Sequence, residues 1–92
     1  MPKKLSHTLE VIYEVKKNGL TRINATHVVA QRNHVLFNTV ADSYGRQLQK
    51  TAAEIDRLLE QSVLAELRSV LEHKYVHHRE AIRSFFEQID RP

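Results

Sequence analysis

The chain contains no cysteine. Disulfides and thiolate metal sites are therefore excluded, and a reducing cytoplasm is the compartment this composition leads us to expect. Glycine and proline occur only twice each, so few positions force a break in a helix. No stretch alternates apolar and polar residues with the period of a strand. No apolar run approaches the roughly 18–20 residues that a membrane-spanning helix needs. The first residues, MPKKLSHTLE, carry two lysines but no following apolar segment, unlike a secretory signal. There is no Gly-rich phosphate loop, no H-E-x-x-H string and no serine in a nucleophile context, so neither catalysis nor a cofactor is expected.

What remains is a 92-residue chain, 41% hydrophobic and 27% charged. That balance suits one all-α domain with a modest core, near the size at which small proteins gain stability by oligomerising. The net charge of +3 is unevenly placed. Residues 1–50 hold eight basic against three acidic side chains, a net +5, whereas residues 51–92 hold six against eight, a net −2. The first part has the sign that a polyanion attracts, so residues 1–50 are the expected DNA-binding part and residues 51–92 the expected dimerisation part.

Helical periodicity runs through the whole chain. A first helix is expected over residues 6–17, capped by Ser6, with Leu5, Leu9 and Ile12 on its apolar face. Lys16 and Lys17 suit its last turn, and Asn18-Gly19 suits a left-handed ending. A second helix is expected over residues 25–32 with Asn24 as cap, and a third over residues 37–49. Thr51 and Glu54 have the spacing of a capping box that opens a fourth helix. From Ser62 to Ile89 no breaker occurs, while Leu64, Leu67, Leu71, Tyr75, His78, Ile82, Phe85 and Ile89 recur every three or four residues, with Val70 and Phe86 widening the stripe. This segment is either one helix of about 42 Å or a hairpin bent near residues 73–79. A single helix of that length would outrun a domain of this size, so its apolar stripe is the expected homodimer interface. The same stripe, through Ile82, Phe85, Phe86 and Ile89, would also serve a protein–protein interaction module, the alternative function.

The segment THVVAQRNHVLFNTVADSYGRQL carries the most information. Its apolar residues follow the pattern V-A-x4-V-x3-T-V: Val29 and Ala30 close one helix, Val35 follows a turn, and Thr39-Val40 stand one turn into the next. A small residue at the crossing, an anchor after the turn and a β-branched residue one turn on are what two helices packed across a tight turn require. The turn needs a left-handed residue, and that place falls on Asn33-His34. The string resembles the helix-turn-helix of lactose-repressor-type bacterial regulators over residues 26–48. The longer string TVADSYGRQL is also similar to helical modules attached to some restriction-type and HNH nucleases, although no nuclease signature accompanies it.

The resemblance implies that the third helix enters the major groove of double-stranded DNA with Phe37, Asn38 and Asp42 facing the bases and Thr39 near a phosphate. Leu36 stands where those regulators carry a capping serine. Asp42 is negative where phosphates should lie, and it can pair with Arg46 at i+4 or accept from a cytosine amino group. Arg22, Arg32, Arg46, Lys50 and a Lys3-Lys4 arm are candidate phosphate contacts, with Thr26 and Asn24 adding polar ones near a helix start. His73 and His77 have the i,i+4 spacing of a metal pair but lack a convincing third ligand, so no metal site is expected. A small DNA-binding protein, a homodimeric transcriptional regulator, is the function that the residues point to.

Overall fold

The structure, a computed structural model, describes residues 1–91; Pro92, counted in the expected single domain, lies outside the described residues. The described chain is helical throughout, with α1 (Lys3–Asn18), α2 (Arg22–Arg32), α3 (Phe37–Leu48), α4 (Ala52–Leu59), α5 (Ala65–Lys74) and α6 (Arg79–Ile89). A short 3-10 turn, Val76–His78, precedes α6. No helix is long and apolar enough to cross a membrane among the described residues.

Helix α1 is the hub, packing against α2, α3, α4 and α6. So many neighbours bury more than one face of it. Leu5, Leu9, Val11 and Ile12 are in the core, and the polar residues His7, Thr8 and Glu14 are buried with them. Each buried polar side chain finds a partner, as the cost of desolvation demands. Thr8 Oγ1 donates to the Lys4 carbonyl at 2.9 Å, His7 Nδ1 meets Ser43 Oγ at 3.4 Å, and Glu14 accepts from Asn18 and Arg32.

The helix ends show where local chemistry decides. Gly19 takes φ 69° after α1, the left-handed ending that glycine adopts without strain. Lys16 lies in that last turn, and its Nζ donates to the carbonyls of Leu59 and Gln61, both at 2.9 Å, which ties the end of α4 to the end of α1. Thr51 and Glu54 form the full capping box. Two expected caps are corrected. α1 starts at Lys3 behind Pro2, and Ser6 lies inside it, its amide bonded to the Pro2 carbonyl at 3.0 Å. α2 starts at Arg22, where Thr21 Oγ1 accepts from the Asn24 amide at 3.2 Å, so Asn24 is the third residue of the helix rather than its cap.

The apolar stripe from residue 62 onward does not form one long helix. It folds back at residues 75–78, and α5 and α6 pack on each other, on α3 and on α1. Leu64, Leu67, Leu71, Ile82, Phe86 and Ile89 are all buried in the chain's own core, and half-buried Phe85 sets its ring edge-on to Phe86, centroids 5.3 Å apart. These residues were the expected dimer interface and the expected protein-docking face. The core of a single copy covers them instead. Folding back hides both arms of the stripe from water within a body of 28 × 26 × 23 Å, which an extended helix could not do. One buried cluster draws on every helix, so residues 1–50 and 51–91 share a single core.

Glu14 yields the clearest stability test. Its carboxyl is held below the usual carboxylate range, first by the Asn18 amide and then by the Arg32 guanidinium. A lowered folded-state pKa means that the charged form stabilises the fold. That contribution is complete above the unfolded value of about 4.3 and is lost as pH falls through the lowered value. Glu14→Gln is expected to cost about 1–2 kcal/mol at neutral pH, toward the low end because Arg32 is half exposed. Denaturant unfolding followed across pH checks this: the gap between the two proteins narrows on acidification, and a gap that ignored pH would assign the effect to packing.

Candidate nucleic-acid interface

The turn between α2 and α3 is set from α1. Glu10 and Glu14 stand one helical turn apart and both accept from Arg32, Glu10 Oε1 at 3.1 Å from Nη1. Glu10 Oε2 also accepts from Asn33 Nδ2 at 3.2 Å, and the same nitrogen donates to the Val29 carbonyl at 2.8 Å. With the end of α2 clamped in this way, His34 takes φ 56°, and the Val35 amide reaches back to the Ala30 carbonyl at 3.0 Å. The left-handed residue expected at Asn33-His34 is therefore His34. Leu36 enters α3 in an extended conformation with no side-chain cap, and it is 77% exposed.

A closed ring of hydrogen bonds fixes α3 against its neighbours on the other side. Thr26 Oγ1 donates its one hydrogen to the Arg22 carbonyl at 2.7 Å, so toward Tyr44 it can only accept. Tyr44 therefore donates to Thr26 at 3.1 Å, while the Tyr44 oxygen accepts from Arg22 Nη1 at 3.1 Å. Arg22 Nε completes the set with Asp56 Oδ1 at 2.8 Å, joining α2 to α4. The Asp56 carboxylate, ahead of the Tyr44 contacts, raises the pKa of the Arg22 guanidinium further.

These bonds revise the expected DNA contacts. Arg22 is largely buried in the ring, and Thr26 is completely buried. Both hold the fold together, and Thr26 is closed off from any ligand. Arg32 is engaged by two carboxylates, and Lys50 Nζ lies 2.8 Å from Glu66. Phe37 is half-buried against the His27 ring, with centroids 4.5 Å apart. Asn38, Thr39, Asp42 and Arg46 stay exposed along one side of α3, and none makes a side-chain bond or ion pair among the described residues. In particular, the Asp42–Arg46 pair that their spacing allows is not formed.

Lys3 and Lys4 form no free arm. They occupy the first turn of α1, where they line a groove of about 480 Å³ together with His7, Val35, Thr39, Asp42, Ser43 and Arg46. Lys3, Lys4 and Arg46 have no carboxylate or carbonyl partner for their cationic groups among the described residues. Most of the other Lys and Arg side chains do, including Arg68 and Arg83 on Glu72 and Lys17 on the Arg91 carbonyl. Residue counting could not show this, because partners such as Glu10 with Arg32 are far apart in sequence.

Compared with known protein families, curated proteins and solved structures, the chain matches none. The reading of this site therefore rests on its own residues. The histidine cluster adds nothing to it: α5 ends at Lys74, so His73 and His77 do not share a helical face. His73 Nδ1 is bonded to the Ser69 carbonyl at 2.9 Å, and no three candidate ligands gather among the described residues.

Gly45 lies on the exposed side of α3, in helical conformation, and a Cβ added there meets nothing within 4 Å. Packing within the chain gives no reason for a glycine. Gly45→Ala is expected to stabilise the fold by about 1 kcal/mol, raising Tm by roughly 4–8 °C in thermal unfolding. A lowered Tm would mean that the α3 face is not free in the isolated chain.

Proposed function

We propose that the chain binds double-stranded DNA through the exposed side of α3, as a helix-turn-helix module of a transcriptional regulator. The observation that carries this reading is the cationic set Lys3, Lys4 and Arg46, left without partners beside the polar residues Asn38 and Thr39. The three cations contact phosphates along the groove between α1 and α3. Thr39 adds a hydroxyl to the backbone, and Asn38 has the amide that reads adenine edges. Asp42 accepts from a cytosine amino group, and Leu36 reaches a thymine methyl. The stripe that suggested pairing lies inside the core, so the reading requires only one copy at each site.

Fluorescence anisotropy with a labelled duplex, repeated over a range of salt, tests the proposal. Binding weakens with salt, and Arg46→Gln and Lys4→Gln each flatten the log–log slope by about 0.9. Arg57→Gln removes the same charge from α4, which is anchored at the opposite end of α1, and leaves the slope unchanged. Asn38→Ala relaxes discrimination at one base pair by about 1–3 kcal/mol. Binding that is absent, insensitive to salt or equally weakened by Arg57→Gln would overturn the reading.

A further inference from the structure

The groove between α1 and α3 is lined by a histidine of which the fold uses only one ring nitrogen. His7 is 6% exposed and lines this groove. Ser43 Oγ donates its single hydrogen to the Thr39 carbonyl at 2.7 Å, so toward His7 Nδ1, 3.4 Å away, it can only accept. Nδ1 therefore carries the hydrogen, and in the neutral ring Nε2 is a lone-pair acceptor. Nε2 has no hydrogen-bond partner among the described residues, and since no buried polar side-chain atom there lacks one, it is open to solvent. A buried imidazole is thus held by one nitrogen and offers the other to the groove.

The surroundings favour an anion. Lys3 and Lys4 lie on the same helix as His7, and Arg46 faces them from α3. Asp42 is the one carboxylate in the lining; Thr39 and Ser43 supply hydroxyls and Val35 an apolar wall. Three unpaired cations against one carboxylate leave the groove positive with the imidazole neutral. The first turn of α1, which has no acidic residue, adds the positive end of a helix dipole. The volume of about 480 Å³ accommodates a tetrahedral oxyanion and several waters.

We propose that this groove is a phosphate-binding subsite in which His7 Nε2 becomes a donor by taking up a proton as the phosphate binds. The inference rests on the DNA reading only for the source of the phosphate, a backbone diester of a duplex lying along α3 rather than a free phosphate ion. Because the bound anion favours the imidazolium, binding tightens as pH falls from about 8 to about 6, the interval across which histidine charges. His27 and His34 lie on α2 and in the turn and do not line the groove, so a variant at His7 separates their protonation from this effect.

Two measurements on the whole chain test it. In the wild-type protein, inorganic phosphate is titrated at about pH 6 while the histidine ring signals are followed by NMR. Duplex affinity is measured at both pH values for the wild type and for His7→Gln, whose folding is checked by thermal unfolding. The expected result is that phosphate shifts the His7 ring signals toward those of a ring with a hydrogen on both nitrogens. Duplex binding then tightens roughly three- to ten-fold on acidification in the wild type, and most of that gain is lost in His7→Gln. If phosphate moves the His7 signals but no duplex binds, the subsite stands with free phosphate as its source, and the DNA reading falls. If the duplex binds with the same pH dependence in both proteins and phosphate leaves His7 unmoved, the DNA reading stands and this inference is overturned. The NMR arm needs no variant, so loss of folding in His7→Gln cannot shield the proposal.

Discussion

The structure depends on how thoroughly α1 is buried. A helix covered by α2, α3, α4 and α6 cannot keep all its polar residues in water, so those it buries must be bonded to something nearby. Those bonds decide where the neighbouring helices sit. Glu14, together with half-buried Glu10, draws in Arg32 and Asn33 and so fixes the end of α2 and the turn after it. His7 meets Ser43 and so aligns α1 with the middle of α3. At the other end, Lys16 reaches the last carbonyls of α4. Hydrophobic contact supplies most of the driving force, but it is not directional, and these polar bonds select one arrangement among many that would bury similar area.

The same requirement distributes the charges. A basic half suggested a basic surface, yet Arg22, Arg32 and Lys50 are each held by a carboxylate. Net charge counts residues, whereas a ligand meets only the cations that the fold leaves unpaired. Three of these, Lys3, Lys4 and Arg46, line one groove beside α3. The positive character expected of residues 1–50 is therefore concentrated at one end of α1.

Signals carried by neighbouring residues were legible in the sequence. Gly19 ends α1, Thr51 and Glu54 cap α4, and α3 spans nearly its expected range, because each depends on chemistry within one helical turn. The left-handed residue falls where the turn needed it for the same reason. The return of the chain at residues 75–78 was one of two alternatives in the sequence, a hairpin bent near residues 73–79, and the choice between them was hidden because no glycine or proline marks the bend. Tertiary contact drives it instead: Tyr75 leaves the helix at φ −115° and ψ 65° and donates its hydroxyl to Gln47 on α3. Burial raises the pKa of that phenol, consistent with a hydroxyl kept for hydrogen bonding. The Arg22–Tyr44–Thr26 ring was equally hidden, because Arg22 and Thr26 read as surface residues until Tyr44 arrives from another helix.

These constraints leave α3 with little freedom of its own. It is held at its start by the turn that α1 clamps, at its middle by Ser43 and Tyr44, and near its end by Gln47 bonded to Tyr75 and the Arg46 carbonyl bonded to Lys74. Its uncovered side is therefore positioned before any partner arrives, and binding there would order side chains rather than backbone, which keeps the entropic cost low. On that side Gly45 carries a helix-propensity cost with no compensating contact within the chain. A face without a Cβ at its middle, flanked by Asp42 and Gln49, lets a partner come closer to the helix backbone than any other residue at that position would allow.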